Sequence, residues 1–462
     1  MSSTATSHTV NRKRVAAATI IGTTVEWYDY FIYANAAGLI FAKLFFEPAG
    51  GSMAQIVAFA SVGLSFLFRP LGAFLAGHYG DKLGRRAMLV ITLLMMGGAT
   101  ALIGLLPTYE TIGIAAPILL LLLRILQGIS AGGEWGGAVL MAVEHADPKK
   151  RGLAGSLPQL GVPLGMLLAS GVMALMTGVI SPGAEFEEWG WRVPFLLSVV
   201  LVGVGFWVRR AVDESPVFLE IAETKQQSKM PIVQLMKKYW VLVLLGALVF
   251  AGNNAPGYMT TGGFITKYAT ADLHLDKTDV LVAVAVGSVF WFIFTLLGGY
   301  LADKIGRVRT YQIGFVCSAI AVFLIFPIMN TGELSMLYLA LFLFSIGLGF
   351  TYGPQASLYS EMFPASVRFS GVSISYALGA ILGGAFAPMI AQAILESTGS
   401  TIGISWYLFV AVLLGFIAVS LLRDRSGLDL SIKNEEEQAT GSLVFGKKSA
   451  AQQAASKQPA GK

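Results

Sequence analysis

A chain of 462 residues that is 55% hydrophobic and only 13% charged, with a mean hydropathy of +0.69, is not a soluble globular protein, in which about 25% of residues carry charge. Its apolar stretches are long and continuous rather than alternating, which excludes barrel strands and leaves a bundle of membrane-spanning helices. The net charge of +5 comes from Lys and Arg gathered in alternate connections, so it reports orientation and not nucleic-acid binding; the positive-inside rule puts both termini in the cytoplasm.

The opening segment, 1–14, is polar and basic, and no cleavage site follows the first apolar run, so no removable signal peptide is expected. That run, roughly 16–44, carries Glu26 and Asp29 near its middle. A spacing of three puts both carboxylates on one helix face. A charge at bilayer depth costs roughly 2.5–3.5 kcal/mol, so such groups face a bundle interior or a wet cavity. They are either structural partners of an arginine or a proton or ligand site. Further apolar segments at roughly 54–78, 87–107, 114–143, 153–179 and 193–210 complete a first six-helix half, 15–210. A charged, partly amphipathic linker, 211–238, is expected to lie helical along the membrane surface. The second half, 239–423, repeats the count with segments at roughly 240–266, 280–302, 309–329, 335–360, 370–396 and 402–422. From 424 to 462 the chain is polar and low in complexity, and a disordered tail is expected there. Cys317 stands alone, which excludes a disulfide within one chain, and the four histidines lie in tails or near helix ends, which argues against a metal site.

An internal repeat supports the two-half division. GHYGDKLGRR at 77–86 returns as GYLADKIGRV at 299–308, so Gly77, Asp81, Gly84 and Arg85 (with Arg86 beside it) match Gly299, Asp303, Gly306 and Arg307. Glu144 precedes Arg151 by seven residues, as Glu361 precedes Arg368. A parallel repeat of six segments is an arrangement that places a site between halves. In each hairpin a glycine can supply the left-handed turn, and the aspartate can cap a helix start or pair with an arginine. Two copies at matching positions read as a gate latch whose ion pairs favour one of two states.

These residues resemble the Major Facilitator Superfamily along nearly the whole chain. The two hairpins look like its signature loop, and Arg124-Ile-Leu-Gln127-Gly128 looks like its RxxQG motif. Glu26-Trp27-Tyr28-Asp29, Phe68-Arg69-Pro70-Leu71-Gly72, Gly132 to Gly137, Trp189 to Phe195 and Glu214-Ser215-Pro216 resemble the metabolite:proton symporter subfamily. The resemblance implies an all-α fold of twelve transmembrane helices in an inner membrane, and proton-coupled import of a small organic acid such as shikimate or a di- or keto-carboxylate by alternating access. It implies no cofactor, no nucleic acid and a monomer in the bilayer. Symport of a zwitterionic osmolyte such as proline or glycine betaine is the alternative, and a non-transporting sensor a further one. An enzyme is not expected, since no HExxH, no GxSxG in a strand–turn–helix and no nucleotide loop is present.

The intramembrane charges lie in the first half. Glu26 or Asp29 is the expected proton carrier, with Glu134 second; Glu134 equally suits a structural pair. Arg124 is the expected substrate-side cation, because a guanidinium grips a carboxylate with two parallel bonds, with a structural or coupling pair as its other reading. Arg69, beside Pro70, reads as structural near the gate. The second half offers polarity: Asn253, Asn254 and Tyr258, around Pro256, mark either a broken helix lining a cavity or a packing kink. Gln159, Tyr352, Gln355 and Tyr376 are further substrate-binding candidates. Trp189, Trp191, Tyr239, Trp240 and Trp406 are expected in the interfacial belt.

Overall fold

The computed structural model describes residues 3–83, 85–132, 134–144, 146–210 and 231–444. For 3–19, 76–83, 85–90, 208–210 and 231–234, and for Ala73, Glu134 and Met141, the description covers the backbone alone. Each of the twelve apolar segments is helical: α1 (Ser3–Ala36), α2 (Gly51–Leu83), α3 (Arg85–Leu105), α4 (Ala115–Glu144), α5 (Pro148–Ile180), α6 (Phe186–Trp207), α7 (Trp240–Thr261), α8 (Lys277–Ile305), α9 (Arg307–Met329), α10 (Leu334–Met362), α11 (Arg368–Thr398) and α12 (Ile402–Ser420). Ten are long and apolar enough to cross a membrane among the described residues; the apolar part of α3, Ile91–Leu105, is shorter.

Local chemistry sets where these helices stop. Asp276 caps α8, its carboxylate accepting from Thr278 N at 2.8 Å and Asp279 N at 3.2 Å. Gly306, at φ +99, makes the turn between α8 and α9. The possible break at Pro256 is not there: α7 runs through that proline and ends at Gly262 and Gly263. Gly263 sits at φ +85 and packs so closely on the Ala34 carbonyl that a Cβ would collide with it. Proline within a membrane helix is tolerated when neighbours re-satisfy the freed carbonyl, which reconciles the sequence with a continuous helix. Interruptions instead fall at Gly353–Pro354 in α10 and in a π-helical turn, Ala380–Ala385, in α11.

The two halves meet along two seams, α5 against α8 and α2 against α11. Small residues permit both. A Cβ at Gly63 would strike the Ala385 carbonyl, and one at Gly299 would lie 2.7 Å from the Ser156 Cβ. Without a hydrophobic drive between helices in lipid, such close backbone approach is what holds them together.

Two expectations are corrected. Residues 421–444 are ordered: they pair Leu422 with Leu443, form a short helix at Glu435–Gln438, and fold back over the helix ends near Arg151, Glu361 and Arg368. Residues 445–462 lie outside the described part, as does 211–230 of the linker, whose end Pro231–Lys238 is helical. Trp191 is not in the belt but wholly buried, edge-on to Phe41, Phe45 and Phe195, whereas Trp189, Trp240 and Trp406 are exposed.

Candidate functional site

Between the halves lies a closed central cavity whose wall includes Trp27 of α1, Asn253, Asn254 and Tyr258 of α7, Trp291 of α8, Tyr352 of α10 and Tyr376 of α11. Its volume is about 20 Å³, close to the space that one water needs. The cavity is therefore too small for a substrate. Five residues expected to bind substrate converge here, although they are spread over more than a hundred positions of the sequence. Tyr376 is held in an aromatic stack, 3.7 Å from the Trp135 ring and 4.3 Å from the Phe250 ring.

Gln159 and Gln355 form a bridge between the halves next to this wall. The Trp135 indole nitrogen donates to Gln159 Oε1 at 2.9 Å, and Gln159 Nε2 donates to Gln355 Oε1 at 3.2 Å. An indole only donates, so this first bond fixes which way both amides face. Gln355 Nε2 is left without a partner among the described residues.

Arg124 is not on the cavity wall. Its guanidinium is buried against the Tyr33 ring at 3.8 Å and donates to neutral acceptors: Ser61 O at 3.2 Å, Val62 O at 2.7 Å, Ser65 Oγ at 3.1 Å and Gln127 Oε1 at 2.8 Å. No ion pair holds it among the described residues. Gln127 passes the polarity on, its Nε2 donating to Thr100 Oγ1 at 2.8 Å. The Thr100 hydroxyl gives its proton to Met96 O at 2.9 Å and lies near Asp29. Asp29 is 1% exposed, and its Oδ1 has no partner. Glu26, one turn earlier, lies close enough to feel the cavity residues Tyr352 and Tyr376 as well as Asp29. The two acids thus share a helix face, and Glu26 is the one next to the cavity. Glu134 is described by its backbone alone.

Arg69 is buried too and unpaired by any carboxylate among the described residues. It lies 4.2 Å from the Phe66 ring and 5.5 Å from the Trp27 ring, and near Tyr376. In the sequence its proline neighbour points to a structural role. Nothing there marks Trp27 and Trp291 as wall residues, since an aromatic in an apolar helix carries no sign that separates cavity from core.

At the end bearing the ordered C-terminal segment, the repeat residues cross over. Glu144 of the first half accepts from Arg368 of the second at 2.9 Å, and Arg151 lies 3.9 Å from Glu361. Glu361 also takes Arg307 through two bonds of 3.1 Å. Asp303 accepts from the Gly152 and Leu153 N–H groups at the start of α5, at 2.7 and 2.9 Å, so one half's hairpin clamps the other's helix. Gly84 lies outside the described residues, and for Gly77, Asp81, Arg85 and Arg86 the backbone alone is described. The C-terminal segment completes this closure. Arg151 donates to Leu428 O, Arg368 to Leu430 O at 3.0 Å and to Gln438 Oε1 at 2.8 Å, and Arg425 to Gln438 O at 2.8 Å. Burial pushes the Arg425 guanidinium down to about 10, which leaves it charged.

The sequence profile of the Major Facilitator Superfamily matches residues 19–381. The inner membrane metabolite transport protein YhjE of Escherichia coli is 38% identical over 419 residues, 89% of this chain and 94% of that one. The shikimate transporter of Escherichia coli is 34% identical, covering 89% and 94%. The proline/betaine transporter of the same organism is 30% identical, covering 91% and 85%. Among solved structures, a D-xylose-proton symporter superposes with a TM-score of 0.70 at 18% identity, over 91% of this chain and all of that one.

Proposed function

The chain belongs to the Major Facilitator Superfamily and is a multi-pass membrane transporter, and from that premise we propose that it is a symporter importing a small organic acid together with protons. The basic end, with both termini and the latch, faces the cytoplasm, and the protein works as a monomer in a bacterial inner membrane. The observation that carries proton coupling is Asp29, a buried acid with one empty oxygen, near the Thr100 end of a hydrogen-bonded chain that runs through Gln127 to Arg124. An ionised carboxylate that is dry and incompletely bonded costs several kcal/mol. Carrying a proton removes that cost in the occluded state, and water entering an open state lets the proton leave. Arg124, satisfied by neutral acceptors, serves this relay and not the substrate. Glu26 stands between the relay and the wall of Asn253, Asn254, Tyr258, Tyr352 and Tyr376, where substrate binds; the Gln159–Gln355 bridge closes the site toward the cytoplasm.

The relatives that transport shikimate and proline/betaine frame the choice of substrate. A monoanion with one proton crosses without net charge, whereas a zwitterion with one proton also gains about 2.3 kcal/mol per 100 mV. Purified protein in tight liposomes holding a pH-sensitive dye separates the two. Shikimate, succinate, 2-oxoglutarate, benzoate and glycine betaine are added in turn, with and without an imposed potential. Proton entry with an acid, insensitive to potential for a monoanion, is expected. Proton entry with betaine alone, driven by potential, would move the reading to the osmolyte, and no proton movement with any of them would remove the coupling.

A further inference from the structure

The wall of the closed cavity has an imbalance in its hydrogen bonding. Among the described residues, the lining side chains with an unfilled buried polar atom are Asn254, at Nδ2, and Trp291, at Nε1. The indole only donates, and the Asn254 amide, which no hydrogen bond fixes among the described residues, can turn either Nδ2 or Oδ1 to a ligand. Gln355 Nε2, beside the wall in the fixed amide chain from Trp135, is a second fixed donor, and Arg69 Nε is a third. Arg69, Asn254 and Trp291 are each more than nine-tenths buried, so solvent does not fill these groups. Buried polar groups in proteins are nearly always satisfied, and leaving one unmade costs about 1–3 kcal/mol, so a cluster of one sign marks what is missing. Three fixed empty donors and an amide that can supply a fourth suit an acceptor-only group.

We propose that the missing group is the carboxylate of the transported substrate, and that Arg69 is the cation that receives it. Arg69 is placed for this where Arg124 is not. It lies against the ring of one wall residue, Trp27, and near another, Tyr376, and it has an N–H to give. Tyr376 is itself held in an aromatic stack, and the Phe66 ring also lies against the guanidinium. A planar cation set against aromatic rings can offer its N–H edge to a carboxylate. Asn254 and Trp291, from the second half, supply donors to the same group or to a hydroxyl of the substrate, so one small acid draws both halves together. The assignment rests on the reading of the chain as an acid transporter, and it holds for the carboxylate of a monoanion or of a zwitterion.

The test is a thermal-shift titration of the purified full chain with the panel acids, comparing shikimate with its methyl ester, in wild type, Arg69→Gln and Arg69→Lys. Wild type is expected to be stabilised by an acid and not by its ester. Arg69→Gln is expected to need about tenfold more acid or worse for the same shift, as the loss of a charge-assisted bond implies, and to lose its preference for acid over ester. Arg69→Lys keeps charge but not the fork, and is expected to bind several-fold more weakly while still preferring the acid. Binding of the acid by Arg69→Gln within twofold of wild type, or ester bound as tightly as acid by wild type, overturns the proposal. Where Arg69→Gln does not fold, Arg69→Lys decides: wild-type affinity in that variant overturns it. A wild type that binds an acid through Arg69 but carries no proton with it would sink the symport reading and leave this assignment standing.

Discussion

One turn of α1 holds two acids whose surroundings divide their roles. Asp29 points to Thr100 and the Arg124 relay with an oxygen unfilled, whereas Glu26 lies by Tyr352 and Tyr376. Asp29→Asn copies the protonated shape of that acid and cannot release a proton. The expected outcome is loss of uphill uptake in liposomes with exchange of substrate across the membrane retained, because exchange needs no net proton movement. Full accumulation by the variant would end the proton role of Asp29. Both acids were legible in the sequence, since a carboxylate in an apolar helix is conspicuous. The division between the arginines was not. Arg124 is filled by the carbonyls of Ser61 and Val62, and backbone acceptors leave no trace in a sequence. Arg69 lies next to the wall through Trp27, and the Tyr376 near it comes from α11, three hundred residues away.

At the level of elements, helix positions followed from hydropathy because each span must satisfy its own backbone in lipid. The C-terminal segment escaped the same logic. Its composition is that of a disordered chain, and its order comes from polar partners on other elements. Gln438 alone joins two of them, accepting from Ala365 N and Arg368 at 2.8 Å, and ties the segment to itself by donating to Asp429 O and Ser431 O at 2.8 and 2.7 Å. The Ser431 N–H bonds to Asp429 and holds its carboxyl below the usual range, so the strap keeps its charges at neutral pH. Arg151 reaches it from the first half and Arg368 from the second, which makes it a strap across the mobile seam. Ending the chain after Leu421 should therefore weaken closure at this end while leaving the cavity intact. A cysteine placed at Gln159, in a chain with Cys317 replaced, should react several-fold faster with an impermeant maleimide applied to the strap side. An unchanged rate would show that the strap is not part of the gate.

For the molecule as a whole, the repeat located the gate residues but could not say which copy each one meets. Glu144 and Arg151 stand seven apart and could close within a half; the structure crosses them, Glu144 to Arg368 and Arg151 toward Glu361. Crossed pairs part only if the halves move apart, which is what suits them to the proposed latch. The two are unequal, however. Glu361 is already gripped by Arg307, and Arg368 is gripped by the strap through Leu430 and Gln438 as well as by Glu144. Removing one member of such a buried pair costs on the order of 3 kcal/mol because the other charge is left unpaired. Glu144→Gln leaves Arg368 its strap acceptors, while Arg368→Gln loses pair and strap together. In the full chain the second variant should open this end further, by the maleimide rate, than the first. In the chain ending after Leu421 the strap bonds are gone from both, and the two variants should converge. This non-additivity is the signature of residues sharing a network. A gap between the variants of the same size in both chains would mean that Arg368 holds the gate without the strap, and that closure belongs to the crossed pair alone.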